Sequence, residues 1–97
     1  MTEAVLLRSR KRVYADGAIL SIRIWGLVES VPPCEHRLKY SLFYGYPGCR
    51  LVGYDNERGK GDHRHLGETE TPYLFTNISR LLIDFAEDVE RERGKPP

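Results

Sequence analysis

Asp16-Gly17 falls between two runs of alternating residues, and no other dipeptide in the chain narrows the fold as sharply. Both residue types accept positive φ, so Asp-Gly closes a two-residue type I′ hairpin whose twist suits the strands it joins. Before it, Ala4 to Val13 starts apolar and then alternates, with Arg8, Arg10 and Arg12 on one side and Ser9, Lys11 and Val13 on the other. After it, Ala18 to Leu27 sets Ala18, Leu20, Ile22 and Ile24 against Ile19, Ser21, Arg23 and Trp25. The register of a two-residue turn brings Ala15 opposite Ala18, Arg12 opposite Ser21, Arg10 opposite Arg23 and Arg8 opposite Trp25. Like charges directly opposed are destabilising, so Arg10 facing Arg23 points to a phosphate or acidic partner across that face. The plainer alternative is a wet outer face on which arginine stems cover Trp25.

Val28 to Glu35 holds Pro32-Pro33 and reads as a loop, since proline cannot donate to a ladder. From His36 to Tyr46, Leu38, Tyr40, Leu42 and Tyr44 take the buried side, leaving Arg37, Lys39, Ser41 and Phe43 opposite. Pro47-Gly48 turns the chain into a further strand from Arg50 to Tyr54. Glu68 to Tyr73 reads as an acidic linker. Thr76 or Asn77 then caps a helix in which Ile78, Leu81, Leu82, Phe85 and Val89 form one apolar stripe, and Gly94 ends it. Arg80, Asp84, Glu87, Asp88, Arg91 and Glu92 are left for solvent. The stripe needs an apolar partner, and the strands offer one. The expected fold class is therefore α+β: an antiparallel β-meander of four or five strands with one C-terminal amphipathic helix packed on one face, a single domain over residues 1–97.

With 40% hydrophobic residues the chain supports one core and no more. No apolar run reaches membrane-spanning length, and the N-terminus lacks the charge order of a signal peptide, so the expected location is the cytoplasm, with Cys34 and Cys49 as thiols. A net charge of +1 conceals a basic surplus in the first sixty residues and an acidic one thereafter, which argues against a purely electrostatic nucleic-acid coat.

Most of the chemistry sits in one segment, Tyr54 to Leu66. If Asp62 to Leu66 is extended, His63 and His65 point the same way, roughly 6 to 7 Å apart from a rise of about 3.3 Å per residue, a separation that straddles a phosphate. Metal-free RNA cleavage needs a base for the 2′-hydroxyl, an acid for the leaving oxygen and cations for the charged phosphorane, and histidine serves either proton role. His63, His65, Lys60 and Asp62 are the catalytic candidates, with no cofactor required. Arg58 and Arg64, together with Arg8, Arg10, Arg12, Arg23, Arg37 and Lys39, are the RNA-binding candidates, while Gly59 and Gly61 would let the backbone approach the phosphodiester and offer it N–H groups. Three other readings stand beside this one. His-x-His with Asp62, Asp55, His36 or a cysteine could ligate zinc or manganese in a hydrolase. A Cys49–His pair could be nucleophilic. The loop could also be a solvated, noncatalytic surface that binds nucleic acid or protein.

Asp16-Gly17-Ala18-Ile19 leading into Ile24-Trp25, His36-Arg37-Leu38-Lys39-Tyr40, and the run from Leu51 through Tyr54-Asp55-Asn56 to Gly59-Lys60-Gly61-Asp62-His63-Arg64-His65 together resemble the TumE family of small toxin components over nearly the whole chain. The resemblance implies a two-gene toxin–antitoxin module whose partner is a helix-turn-helix antitoxin, while RNA as the expected target rests on the residues of the central segment alone. The two open edges of a meander further invite homodimerisation.

Overall fold

The computed structural model describes residues 4–30 and 32–97, so the loop expected over residues 28–35 lies partly outside the described residues at Val31. Among the described residues six antiparallel strands run in chain order across one sheet: β1 (Ala4–Val13), β2 (Ile19–Leu27), β3 (Leu38–Tyr46), β4 (Cys49–Glu57), β5 (Gly61–Leu66) and β6 (Thr69–Pro72). The one helix among the described residues, α1 (Ile78–Arg93), packs against one face. The architecture is α+β as the patterning predicts, with more strands than the four or five expected.

The additional strand is β6, which forms where an acidic linker was expected. Gly67, at φ 59°, turns the chain back, and Thr69, Glu70, Thr71 and Pro72 pair with Leu66, His65, Arg64 and His63. Pro72 lies on the last strand, where a missing N–H interrupts no further ladder.

The first hairpin also departs from expectation. Tyr14 N–H donates to Ala18 O (2.8 Å) and Gly17 N–H to Tyr14 O (2.9 Å), so the loop is Ala15-Asp16-Gly17, three residues with glycine left-handed at φ 89°. Asp16 Oδ1 accepts from Ala18 N–H at 3.0 Å, which holds the turn. One extra loop residue slips the register by one and exchanges the faces of β1. Arg12 pairs with Leu20, Arg10 with Ile22 and Arg8 with Ile24, whereas Arg23 faces Ser9. The opposition of Arg10 and Arg23 does not occur, and the three β1 arginines lie on the helix side of the sheet.

Leu20, Ile24, Tyr40, Leu42, Tyr44, Val52 and Tyr54 meet Leu81, Phe85 and Val89 of α1 in the core. Asn77 caps the helix, its side chain accepting from Arg80 N–H at 2.8 Å, and Gly94 closes it in the left-handed region at φ 76°. Asp88, expected in solvent, is 1% exposed, because its place one turn after Phe85 carries it against Tyr54 of β4 and Arg64 of β5.

Asn56, wholly buried, holds β3 to β4 where their regular pairing ends at Ser41 and Asp55. Its Oδ1 accepts from Tyr40 N–H at 2.9 Å and its Nδ2 donates to Leu38 O at 2.7 Å, so one side chain replaces two ladder bonds. Asn56→Ala orphans both backbone groups and is expected to lower unfolding free energy by about 3 kcal/mol in urea titration.

Candidate functional site

Alternation along β5 sorts its polar residues onto two faces. His63 and His65 lie on the face away from α1, beside Asp55 and Gly53 of β4, with Ser41 and Phe43 next across the sheet and Arg23 and Ser21 beyond them. Asp62 and Arg64 lie on the opposite, helix-packed face. The structure thus brings together two of the four catalytic candidates as side chains; Lys60, exposed in the β4–β5 turn, joins them through its carbonyl.

On the open face the two imidazoles are held in different states by their partners. Arg50 donates to His65 Nδ1 at 2.8 Å, and since guanidinium cannot accept, Nδ1 must be the unprotonated nitrogen. His65 Nε2 then carries hydrogen toward Asp55 Oδ1, 3.5 Å away. His63 reverses this pattern. Its Nε2 sits 2.8 Å from Lys60 O, an acceptor only, so Nε2 carries the hydrogen, while Nδ1 lies 3.2 Å from Glu70 Oε1 without the alignment of a hydrogen bond. His65 is 8% exposed because Arg50 lies across it.

Gly53 permits that crossing: a Cβ built there would stand 2.6 Å from Arg50 Cδ. Gly53→Ala is expected to displace Arg50 and free His65 Nδ1 while changing stability by less than about 1 kcal/mol; ring ¹⁵N shifts of His65, read with a melting curve, check both halves.

Asp62 belongs to a second cluster. Its Oδ2 accepts from His36 Nε2–H (2.7 Å) and Tyr40 O–H (2.5 Å), and its Oδ1 from the Cys34 thiol (3.0 Å). Burial alone would raise the Asp62 pKa, but these donors outweigh it and hold the carboxyl below its usual range. Burial, then the bond to Asp62, pushes the Cys34 thiol up to about 11, which makes it a poor nucleophile. Cys34, His36 and Asp62 have ligand atoms within 4.8 Å of one another, the one such group among the described residues. Their donor set suits zinc, but the hydrogen bonding does not. Leu38 N–H donates to His36 Nδ1 at 3.2 Å, so the neutral ring carries its hydrogen on Nε2, the atom a metal would need bare. The cluster reads as a pin that ties the loop before β3 to β5.

Arg64 is equally committed, its Nε and NH2 donating to the buried Asp88 at 2.9 and 2.6 Å. Tyr54 O–H and Arg91 donate to the same carboxylate. Among the other cations foreseen, Lys39 donates to Asn56 O, Arg58 and Arg37 are exposed, and Arg23 is exposed on the histidine face. Gly59 N–H donates to Pro32 O at 2.8 Å and is not free for a phosphate, contrary to expectation. Cys49 is exposed at the start of β4, with no histidine among its strand partners.

Sequence reasoning missed Arg50 and Glu70, and named Asp55 only as a possible metal ligand, not as the partner of His65. Strand alternation could have put Asp55 on the histidine face, but Arg50 reaches it only because a bulge after Tyr44 leaves Leu51 unpaired and sets Arg50 opposite Gly45.

Compared with known families, residues 3–93 match the family model described as Toxin TumE. No curated protein and no solved structure gives a significant match. No helix among the described residues is long and apolar enough to cross a membrane.

Proposed function

The chain belongs to the TumE toxin family, and from that premise we propose that it is the toxin of a toxin–antitoxin pair that acts in the cytoplasm by cleaving RNA at His63 and His65. The observation that carries this reading is the pair of imidazoles side by side on the open sheet face, one presenting a lone pair to Arg50 and the other an N–H to a carbonyl. A phosphodiester arriving between them would draw the Arg50 guanidinium to its oxygens, since a charge-assisted pair outcompetes a neutral acceptor. That movement uncovers His65 Nδ1, which takes the 2′-hydroxyl proton as general base. As general acid, His63 must carry a second proton, on the Nδ1 that faces Glu70, and gives it to the leaving 5′-oxygen. Arg50, Arg23 and Lys60 stabilise the charged phosphorane. The 2′-oxygen attacks phosphorus, the bond to the 5′-oxygen breaks, and the products are a 2′,3′-cyclic phosphate and a 5′-hydroxyl.

Arg50 lying over His65 favours one further reading, a noncatalytic face that binds RNA or the helix-turn-helix antitoxin. The two separate on an oligonucleotide carrying a single ribose. The nuclease reading expects a cut at that ribose alone, a cyclic phosphate end and full activity in chelator; binding without cleavage leaves the noncatalytic face. Activity lost to chelator and restored by zinc or manganese would instead favour a metal-dependent hydrolase.

A further inference from the structure

We infer that the free edge of β1 is a docking site for a partner protein, which adds an extended segment alternating acidic and apolar residues as a seventh strand. This inference is independent of the histidine reading, because three strands separate β1 from β5 in the sheet.

Three observations carry it. First, β1 is ten residues long, exposed at every position and paired on one side only, so a row of its N–H and C=O groups faces outward. A bulge at Leu7 and the cations Arg8, Arg10, Lys11 and Arg12 blunt this edge against indiscriminate pairing but do not cover it. Second, the exposed large apolar residues concentrate here: Val5 is 65% exposed, Leu6 51%, Leu7 49% and Val13 64%. Beside them a cleft of about 530 Å³ opens between Leu7, Arg8 and Arg10 of β1 and Leu82, Phe85 and Ala86 of α1, with Leu20 and Ile22 at its back. The helix does not close over this end of the sheet. Third, Arg8, Arg10 and Arg12 line the helix side of β1 in alternation, and no ion pair among the described residues holds Arg8, Arg10 or Lys11.

Those features choose the occupant. A second copy of this chain paired antiparallel through β1 would set one arginine row beside another on the same face, which like-charge repulsion disfavours. RNA could neutralise the arginines but would leave the backbone groups and the apolar side chains without partners. An extended protein segment satisfies all three: main-chain bonds to the edge, carboxylates beside Arg8, Arg10 and Arg12, and apolar side chains beside Leu6 and Val13 on the other face. For a toxin, the antitoxin is the natural donor of such a segment.

The test uses the full chain and a fluorescein-labelled ten-residue peptide of alternating valine and glutamate, with a valine–lysine peptide as control. Binding of the acidic peptide is expected to slow backbone hydrogen exchange within residues 4–13, and R8E/R10E to weaken it by about tenfold or more. Both positions are exposed, so the double variant should melt as wild type does; R8Q/R10Q, with half the charge change, should give an intermediate loss. Equal affinity for the two peptides, protection outside β1, or unchanged binding by R8E/R10E overturns the inference. So does self-association that protects β1, which would make the occupant a second copy, or loss of RNA binding by R8E/R10E with peptide binding intact.

Discussion

His65→Ala is expected to lower RNA cleavage by about 10²- to 10⁴-fold, the range over which a positioned proton-transfer group usually acts. His63→Ala should fall in the same range, and the double variant should fall little further, because the two rings serve one reaction and their losses do not add. The measurement is the single-turnover rate on a short RNA, taken alongside growth inhibition on induction. Since His65 is nearly buried, its truncation also leaves a gap beneath Arg50. His65→Gln answers that objection: its side-chain carbonyl can accept from Arg50, so the packing is largely kept while the titratable nitrogen is lost. Variants that fold, bind RNA and fail to cut it point to proton transfer. Cleavage at the wild-type rate by His65→Gln would remove His65 from the chemistry, and toxicity surviving both alanine changes would end the nuclease reading.

The second large effect concerns stability. Asp88 is buried against β4 and β5 and takes hydrogen bonds from Arg64, Tyr54 and Arg91. Asp88→Ala would leave Arg64 without its anion and the buried Tyr54 hydroxyl without an acceptor, and the expected loss is about 3 to 5 kcal/mol, seen as a lower urea midpoint. Replacing the pair together, Arg64→Met with Asp88→Leu, should cost much less, since no uncompensated charge remains. A single variant as stable as wild type would refute this account. The same site sets an acid limit. Burial would raise the Asp88 pKa, but Arg64 and Tyr54 outweigh it and hold it below the ordinary carboxylate value. A group depressed on folding contributes stability that is present above its unfolded pKa and lost as pH falls through the folded one. The contribution should therefore be complete above about pH 5 and fade below about pH 4, a slope Asp88→Asn should flatten.

How much of this was legible beforehand follows from the range over which each feature is decided. The faces of β2 and β3, the apolar stripe of α1 and its cap at Asn77 rest on periodicity and on residues a few positions apart, and they are as expected. So is the shared direction of His63 and His65, which needs only that β5 be extended. The strand β6 was hidden because a short, polar edge strand has no buried face to impose alternation on its sequence. Asp88 occupied a stripe position in spacing, but its residue type argued for solvent, and only Arg64 arriving from β5 makes burial tolerable.

By itself, then, the sequence determined the elements other than β6, the apolar faces of β2, β3 and α1, and the side-by-side histidines, because backbone stereochemistry and local spacing act within one strand or one helix turn. Tertiary structure decided which face the β1 arginines occupy, which partners hold each imidazole and which carboxylates are buried. Those outcomes turn on register, and one residue more in a loop or a bulge sends a whole strand's side chains to the other side of the sheet.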